Sequence, residues 1–130
     1  MGVENQAFFY TVDEHETLVE QFPDNTYHDA TQILWDTRMI KSDEEIAVMR
    51  EPAVLVDMAM QAGWDATWPS ASADEINGVV NKVLFENGGD YIVLSPFVLA
   101  GERSCLPHQT GGANRLADND LMYFEISASK

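Results

Sequence analysis

"CLPHQTGGANRLADNDLMYFEISAS", residues 105–129, decides the fold, because the hydrophobic period of the chain changes there from helical to extended. Apolar and polar residues alternate over 121–129, which is the pattern of a strand with one buried face. The apolar face holds Met122, Phe124, Ile126 and Ala128. The opposite face holds Leu121, Tyr123, Glu125, Ser127 and Ser129. The preceding residues, ADND, predict a turn in which Asn119 tolerates a left-handed conformation.

A second apolar run, YIVLSPFVLAG at residues 91–101, predicts the neighbouring strand of an antiparallel sheet. Pro96 implies a bulge or an edge position within it, because proline has no N–H for the ladder. Two strands alone make a marginal sheet. We therefore expect the chain to hold one part of a larger fold that continues beyond Lys130.

Two amphipathic helices are predicted before the strands. The first begins at a capping box formed by Ser42 and Glu45, in which each side chain bonds the other residue's backbone N–H. Its predicted apolar stripe consists of Ile46, Met49, Ala53, Val56 and Met60. Gly63 is the expected C-terminal stop. Pro52 removes one helical hydrogen bond and is expected to kink the helix.

The second helix begins at another capping box, Ser72 with Glu75, and ends at Gly88 and Gly89. Its apolar stripe consists of Ile76, Val79, Val80, Val83 and Leu84. The order helix, helix, strand, loop, strand predicts an α+β fold in which two amphipathic helices pack on an antiparallel sheet.

The first 40 residues look like a lead-in to this fold. Residues 11–22 predict a short helix that Pro23 ends, and an amphipathic piece follows around residues 33–35. We expect a division into residues 1–36, the lead-in, and residues 37–130, which hold the two amphipathic helices and the two strands.

Composition excludes several classes of partner. The 130 residues include 22 acidic and 7 basic ones, for a net charge of −15. Nucleic acids and anionic membranes are therefore not expected partners, because binding phosphates needs clustered Lys and Arg. A single cysteine excludes a disulfide framework and favours a reducing, cytoplasmic setting. The N-terminus lacks the pattern of a signal peptide, and no stretch approaches the roughly 20 apolar residues that cross a bilayer.

Two residues are candidates for chemistry: His108, in the glycine-rich loop, and Glu125, on the polar face of the last strand. A loop histidine can act as a general acid or base near neutral pH, although a solvated side chain is the simpler interpretation. Glu125 lines a cavity or lies at the surface. Cys105, His15 and His28 are weaker candidates, and no phosphate-binding loop, dinucleotide motif or zinc-protease motif is present.

Three stretches resemble the pita-bread superfamily, which includes creatinase, aminopeptidase P and prolidase. TRMIKSDEEIAVMREPAVLVDMAM, residues 37–60, is similar to the opening helix of its catalytic domain. VLAGERSCLPHQTGGANRLADNDLMYFEIS, residues 98–127, is similar to the next landmark, where a Pro-His pair and a turn lead into a strand with an acidic residue. GVENQAFFYTVDEHETLVEQFPDNTYHDAT, residues 2–31, resembles the last helix and linker of the N-terminal domain.

The resemblance implies roles for both candidates. His108 matches the family's histidine that handles protons or contacts substrate. Glu125 matches the position at which the metallopeptidases have the first aspartate of a two-metal site, in an Asp-x-Gly pattern. This sequence departs from that pattern, with Glu125 for the aspartate and Ser127 for the glycine, and is closer to the metal-free creatinase and ectoine hydrolase branch.

Three functions follow from the resemblance. The first is hydrolysis of a C–N bond in a small amide, amidine or cyclic amidine without a cofactor, with His108 as proton shuttle and Glu125 orienting water or binding a cationic substrate group. The second is a metal-dependent Xaa-Pro aminopeptidase or dipeptidase acting on proline-containing peptides, with Glu125 as a ligand of two divalent ions such as Mn or Co. The third is an inactive truncated chain or a binding protein. A homodimer is expected.

Overall fold

The computed structural model describes residues 1–91 and 94–130, so Ile92 and Val93 lie outside the description. The chain forms two compact units, Met1–Glu44 and Glu45–Lys130. No helix within the described ranges is both long and apolar enough to cross a membrane. The predicted domain division after residue 36 refers to the larger fold and stays a prediction.

The first unit contains two short strands and two helices. Strands β1 (Gly2–Val3) and β2 (His28–Asp29) pair in parallel. Helix α1 spans Val12–Gln21, as predicted, and helix α2 spans Thr31–Met39. Thr11 and Glu14 form a capping box at the start of α1, where the Glu14 N–H donates to the Thr11 hydroxyl at 3.2 Å.

In the second unit, helix α4 (Ala73–Glu86) confirms the sequence prediction. The Ser72 N–H donates to Glu75 Oε2 at 2.8 Å, and the Glu75 N–H donates to Ser72 Oγ at 3.1 Å. The buried residues of α4 are Ala73, Ile76, Val80 and Leu84. Val79 and Val83 pack against this core at its margin.

Helix α3 (Asp43–Asp65) begins directly after Ser42, as predicted, and continues through Pro52. Its predicted apolar stripe is only partly correct: Val56 and Met60 are half-buried, whereas Ile46, Met49 and Ala53 are exposed. The buried residues of the helix are Leu55, Ala59 and Gly63. Apolar residues surround much of the helix, so that the spacing alone did not define one face.

Gly63 does not end α3, which corrects the prediction. A Cβ at this position would lie 2.9 Å from Val80 Cγ2 and 3.0 Å from Phe124 Cε1. The absence of a side chain therefore lets α3 approach both α4 and the sheet.

The sheet of the second unit consists of β3 (Phe97–Ala100) and β4 (Met122–Glu125), paired antiparallel as predicted. In its register Phe97 faces Glu125 and Leu99 faces Tyr123. The core face was predicted correctly: Met122, Phe124, Ile126 and Ala128 pack against the buried cluster.

Both strands are shorter than predicted. The strand expected at residues 91–101 begins only after Pro96, and part of that prediction lies outside the described residues. Beyond β4, the Ser127 hydroxyl donates to the Leu94 carbonyl at 3.1 Å and the Ser129 hydroxyl to the Tyr91 carbonyl at 2.6 Å. The Asp90 N–H donates to the Ser129 carbonyl at 3.1 Å.

Candidate active site

The structure brings His108 and Glu125 together. The imidazole Nε2 of His108 lies 3.8 Å from the carboxylate Oε2 of Glu125. Glu125 reaches this point because it stands on the face of β4 that is turned away from the helices. The loop after β3 carries His108 to the same face. The two residues are 17 positions apart, and the sequence alone did not establish their contact.

His108 is placed by its backbone and by an aromatic neighbour. Its φ of 63° is left-handed, a conformation that costs a residue with a Cβ some strain and often marks a functional loop. The ring centroid lies 5.3 Å from that of Phe97, with 35° between the ring planes. The His108 side chain remains 71% exposed and that of Glu125 36% exposed, so the pair is open to a ligand from solution.

Tyr123 completes the group of polar side chains. Its hydroxyl donates to Glu125 Oε2 at 2.6 Å, the same oxygen that faces His108. The bond to Glu125, followed by burial, raises the pKa of the Tyr123 hydroxyl above its ordinary value, so the phenol keeps its proton beside the carboxylate. Sequence reasoning did not single out Tyr123, although its position two residues before Glu125 places both on one face.

The loop that carries His108 is braced at its base by Arg103. Arg103 lies in the 3-10 helix Gly101–Cys105, and its Nη2 donates to the Thr110 carbonyl at 2.9 Å. Its Nε is buried and has no hydrogen-bond partner among the described residues. The bond from Arg103 to Thr110 joins the two sides of the loop around His108.

Gly111 anchors the far side of the same loop. A Cβ there would lie 2.9 Å from an Asp74 carboxylate oxygen and 3.1 Å from the Val98 carbonyl oxygen. Any larger residue would therefore push the loop away from β3 and from the first turn of α4. This close packing explains why one residue of the glycine-rich loop, Gly111, has no side chain.

The weaker candidates lie elsewhere. Cys105 is exposed at the end of the 3-10 helix. His15 and His28 belong to the first unit, in which His15 Nδ1 and the Tyr10 hydroxyl are 2.9 Å apart.

The described residues do not form a complete metal centre by themselves. Within residues 1–91 and 94–130, no group of three or more His, Cys, Asp or Glu side chains is placed to hold a metal ion. Glu125 offers one carboxylate, and its Oε2 already accepts a hydrogen bond from the Tyr123 hydroxyl. A two-metal site would need further ligands, so we derive the chemistry below from the side chains alone.

The family follows from a sequence match. The profile of metallopeptidase family M24 matches residues 47–130, which is more than half of the chain. The chain therefore belongs to family M24, and its α+β architecture is part of the pita-bread fold. The resemblance noted in the sequence is confirmed at this level; the creatinase and ectoine hydrolase branch is not shown.

Relatives and solved structures agree on the fold. The chain is 28% identical over 134 residues to an uncharacterized hydrolase/peptidase of Sinorhizobium fredii, covering all of this chain and 34% of the relative. Prolidase from Pyrococcus furiosus matches with a TM-score of 0.87 and 22% identity, over 98% of this chain and 39% of the prolidase chain. Xaa-Pro dipeptidase from Bacillus anthracis matches with a TM-score of 0.85 and 22% identity, over 98% and 35%.

The matches cover only part of each relative. The chain spans about a third of the length of the curated relatives it matches. At these identities, the likeness to the solved structures concerns the fold.

Proposed function

We propose that this chain supplies the histidine and one carboxylate of the active site of an M24 hydrolase that cleaves the peptide bond before proline. The observation that carries the proposal is the 3.8 Å approach of His108 to Glu125 on an exposed face. The likeness to a prolidase and an Xaa-Pro dipeptidase supports proline-containing peptides as the substrate class.

Cleavage of an Xaa-Pro bond requires a proton donor, and His108 can serve as one. The nitrogen of an Xaa-Pro bond leaves as a secondary amine, and it is a poor leaving group until it is protonated. His108 lies in an open loop where its ring can deliver that proton as a general acid. Glu125, whose Oε2 lies 3.8 Å from the imidazole Nε2, orients the ring.

Hydrolysis of a small amide or amidine is the second candidate. It is supported by Glu125 and Ser127, which stand where the peptidase pattern has Asp and Gly. The Ser127 hydroxyl is engaged with the Leu94 backbone, so the strand after Glu125 is held differently from one with glycine there. The comparisons favour the peptidase, because the similar structures reported above are a prolidase and an Xaa-Pro dipeptidase.

The test is an assay with Ala-Pro, Ala-Pro-Ala and creatine. It uses the 130-residue chain and the longest polypeptide that its open reading frame encodes, called the longer product below. Groups of one site act as a unit, so we expect little activity from the 130 residues alone. In the longer product, His108→Ala should lower kcat/KM for the Xaa-Pro substrates by about 10²–10⁴-fold.

The matched control is His28→Ala, which removes an exposed histidine of the first unit and should leave kcat/KM unchanged. A His108→Ala rate within threefold of the parent would contradict the proposal. Turnover of creatine but not of the peptides would favour the second candidate.

Homodimer formation and a cytoplasmic location remain predictions from the sequence. So does the prediction that the 130 residues by themselves are inactive or bind a partner. Size-exclusion chromatography of both products tests the first of these, since a clean monomer at high micromolar concentration contradicts a dimer.

A further inference from the structure

One oxygen of Glu125 has two polar neighbours. Oε2 lies 2.6 Å from the Tyr123 hydroxyl and 3.8 Å from His108 Nε2. The terminal torsion of a glutamate is broad, so a carboxylate of this kind turns easily unless a donor fixes it. A hydrogen bond to a charged acceptor is among the stronger ones in proteins.

Tyr123 is suited to fix this torsion. It stands two residues before Glu125 on the same strand, so the two side chains project from the same face. Its ring is half-buried. A tyrosine has few rotatable bonds, and therefore its hydroxyl can hold a position that a longer, more flexible donor would hold less well.

We propose that Tyr123 is a positioning residue, whose hydroxyl holds Oε2 of Glu125 towards the imidazole of His108. Its role in catalysis rests on the proposed function, but the geometry does not. Tyr123 acts through Glu125 and takes no part in bond breaking. Without the hydroxyl, the carboxylate turns away and His108 loses the neighbour that orients it.

The test is Tyr123→Phe, which removes the hydroxyl and keeps the ring. The matched control is Tyr91→Phe, because Tyr91 is exposed and the substitution keeps its backbone bonds to Ser129. In the 130-residue chain, the ¹³C signal of the Glu125 side-chain carboxyl should move in Tyr123→Phe and stay in place in Tyr91→Phe. In the longer product, kcat should fall about 10-fold or more with KM within about twofold, as expected for a lost bond to a charged group.

The two readouts separate the two proposals. If the parent protein hydrolyses none of the Xaa-Pro substrates, the proposed function fails, and the carboxyl signal still decides the role of Tyr123. An unmoved carboxyl signal in Tyr123→Phe overturns the positioning role. If that variant does not fold, transfer of the parent chain from H₂O to D₂O serves instead: an isotope shift on the Glu125 carboxyl carbon supports the bond, and its absence refutes it.

Discussion

Helices α1 and α4 begin in the same way and end up in different surroundings. Each starts at a capping box, formed by Thr11 and Glu14 in α1 and by Ser72 and Glu75 in α4. No residue of α1 is buried, whereas α4 buries four. Local signals therefore define where a helix starts, while the partners that its apolar stripe meets decide whether it becomes part of a core.

The largest effect should come from removing a side chain from the buried stripe of α4. Ile76 is fully buried, and we expect Ile76→Ala to reduce the free energy of unfolding of residues 45–130 by about 2–5 kcal/mol. Urea denaturation followed by amide signals of α4 measures this. Leu18→Ala in α1 is the comparison variant, and its cost should be smaller because Leu18 is only half-buried. Equal costs would contradict the distinction between the two helices.

A second effect concerns the place where α3 packs on α4. An added Cβ at Gly63 would lie within 3.0 Å of Val80 and Phe124. Overpacking costs roughly 1–3 kcal/mol, and the higher helix propensity of alanine offsets up to about 1 kcal/mol of this. We therefore expect Gly63→Ala to destabilise the second unit by about 1–2 kcal/mol in thermal or urea denaturation.

Gly78 in α4 supplies the control for that variant. Nothing lies within 4 Å of a Cβ built at Gly78, which is exposed. Gly78→Ala should therefore stabilise the helix by about 0.5–1 kcal/mol. If both substitutions stabilised the protein, the close approach of α3 to α4 would be disproved.

The sequence predicted α4 and the core face of β4 well, because a strict period and a capping box are local signals. It was only partly correct at α3, where apolar residues are spread around the helix and Gly63 has a packing role that only the neighbouring α4 and β4 reveal. Both site residues were chosen from their residue types and positions, with the family resemblance. Their contact and the Phe97 ring beside His108 depend on how the loop folds back over β3. Contacts between residues far apart in the sequence leave no local periodicity from which they could be predicted.

The smallest effect should be a dependence on pH at the two capping boxes. The pKa of Glu75 is lowered by the Ser72 backbone N–H and then by Arg115, and that of Glu14 by the backbone N–H and hydroxyl of Thr11. A carboxyl whose folded pKa is depressed stabilises the protein above its unfolded pKa of about 4.3, and this contribution is lost as the pH falls through the folded pKa. The stability difference between the parent and Glu75→Gln should therefore be largest near pH 7 and shrink towards pH 2.

The response of stability to salt should differ between the two capping boxes. Arg115 Nη1 lies 2.7 Å from Glu75 Oε2, and both side chains are more than half exposed, so added salt screens this pair. The pKa of Glu14 owes its decrease to Thr11 alone, which is a matter of hydrogen bonds. Raising the salt concentration at pH 7 should thus reduce the effect of Glu75→Gln and leave that of Glu14→Gln nearly unchanged. A stability difference for Glu75→Gln that grew on acidification would contradict the lowered pKa of Glu75. An equal response of both variants to salt would show that the Arg115 pair does not distinguish the second box from the first.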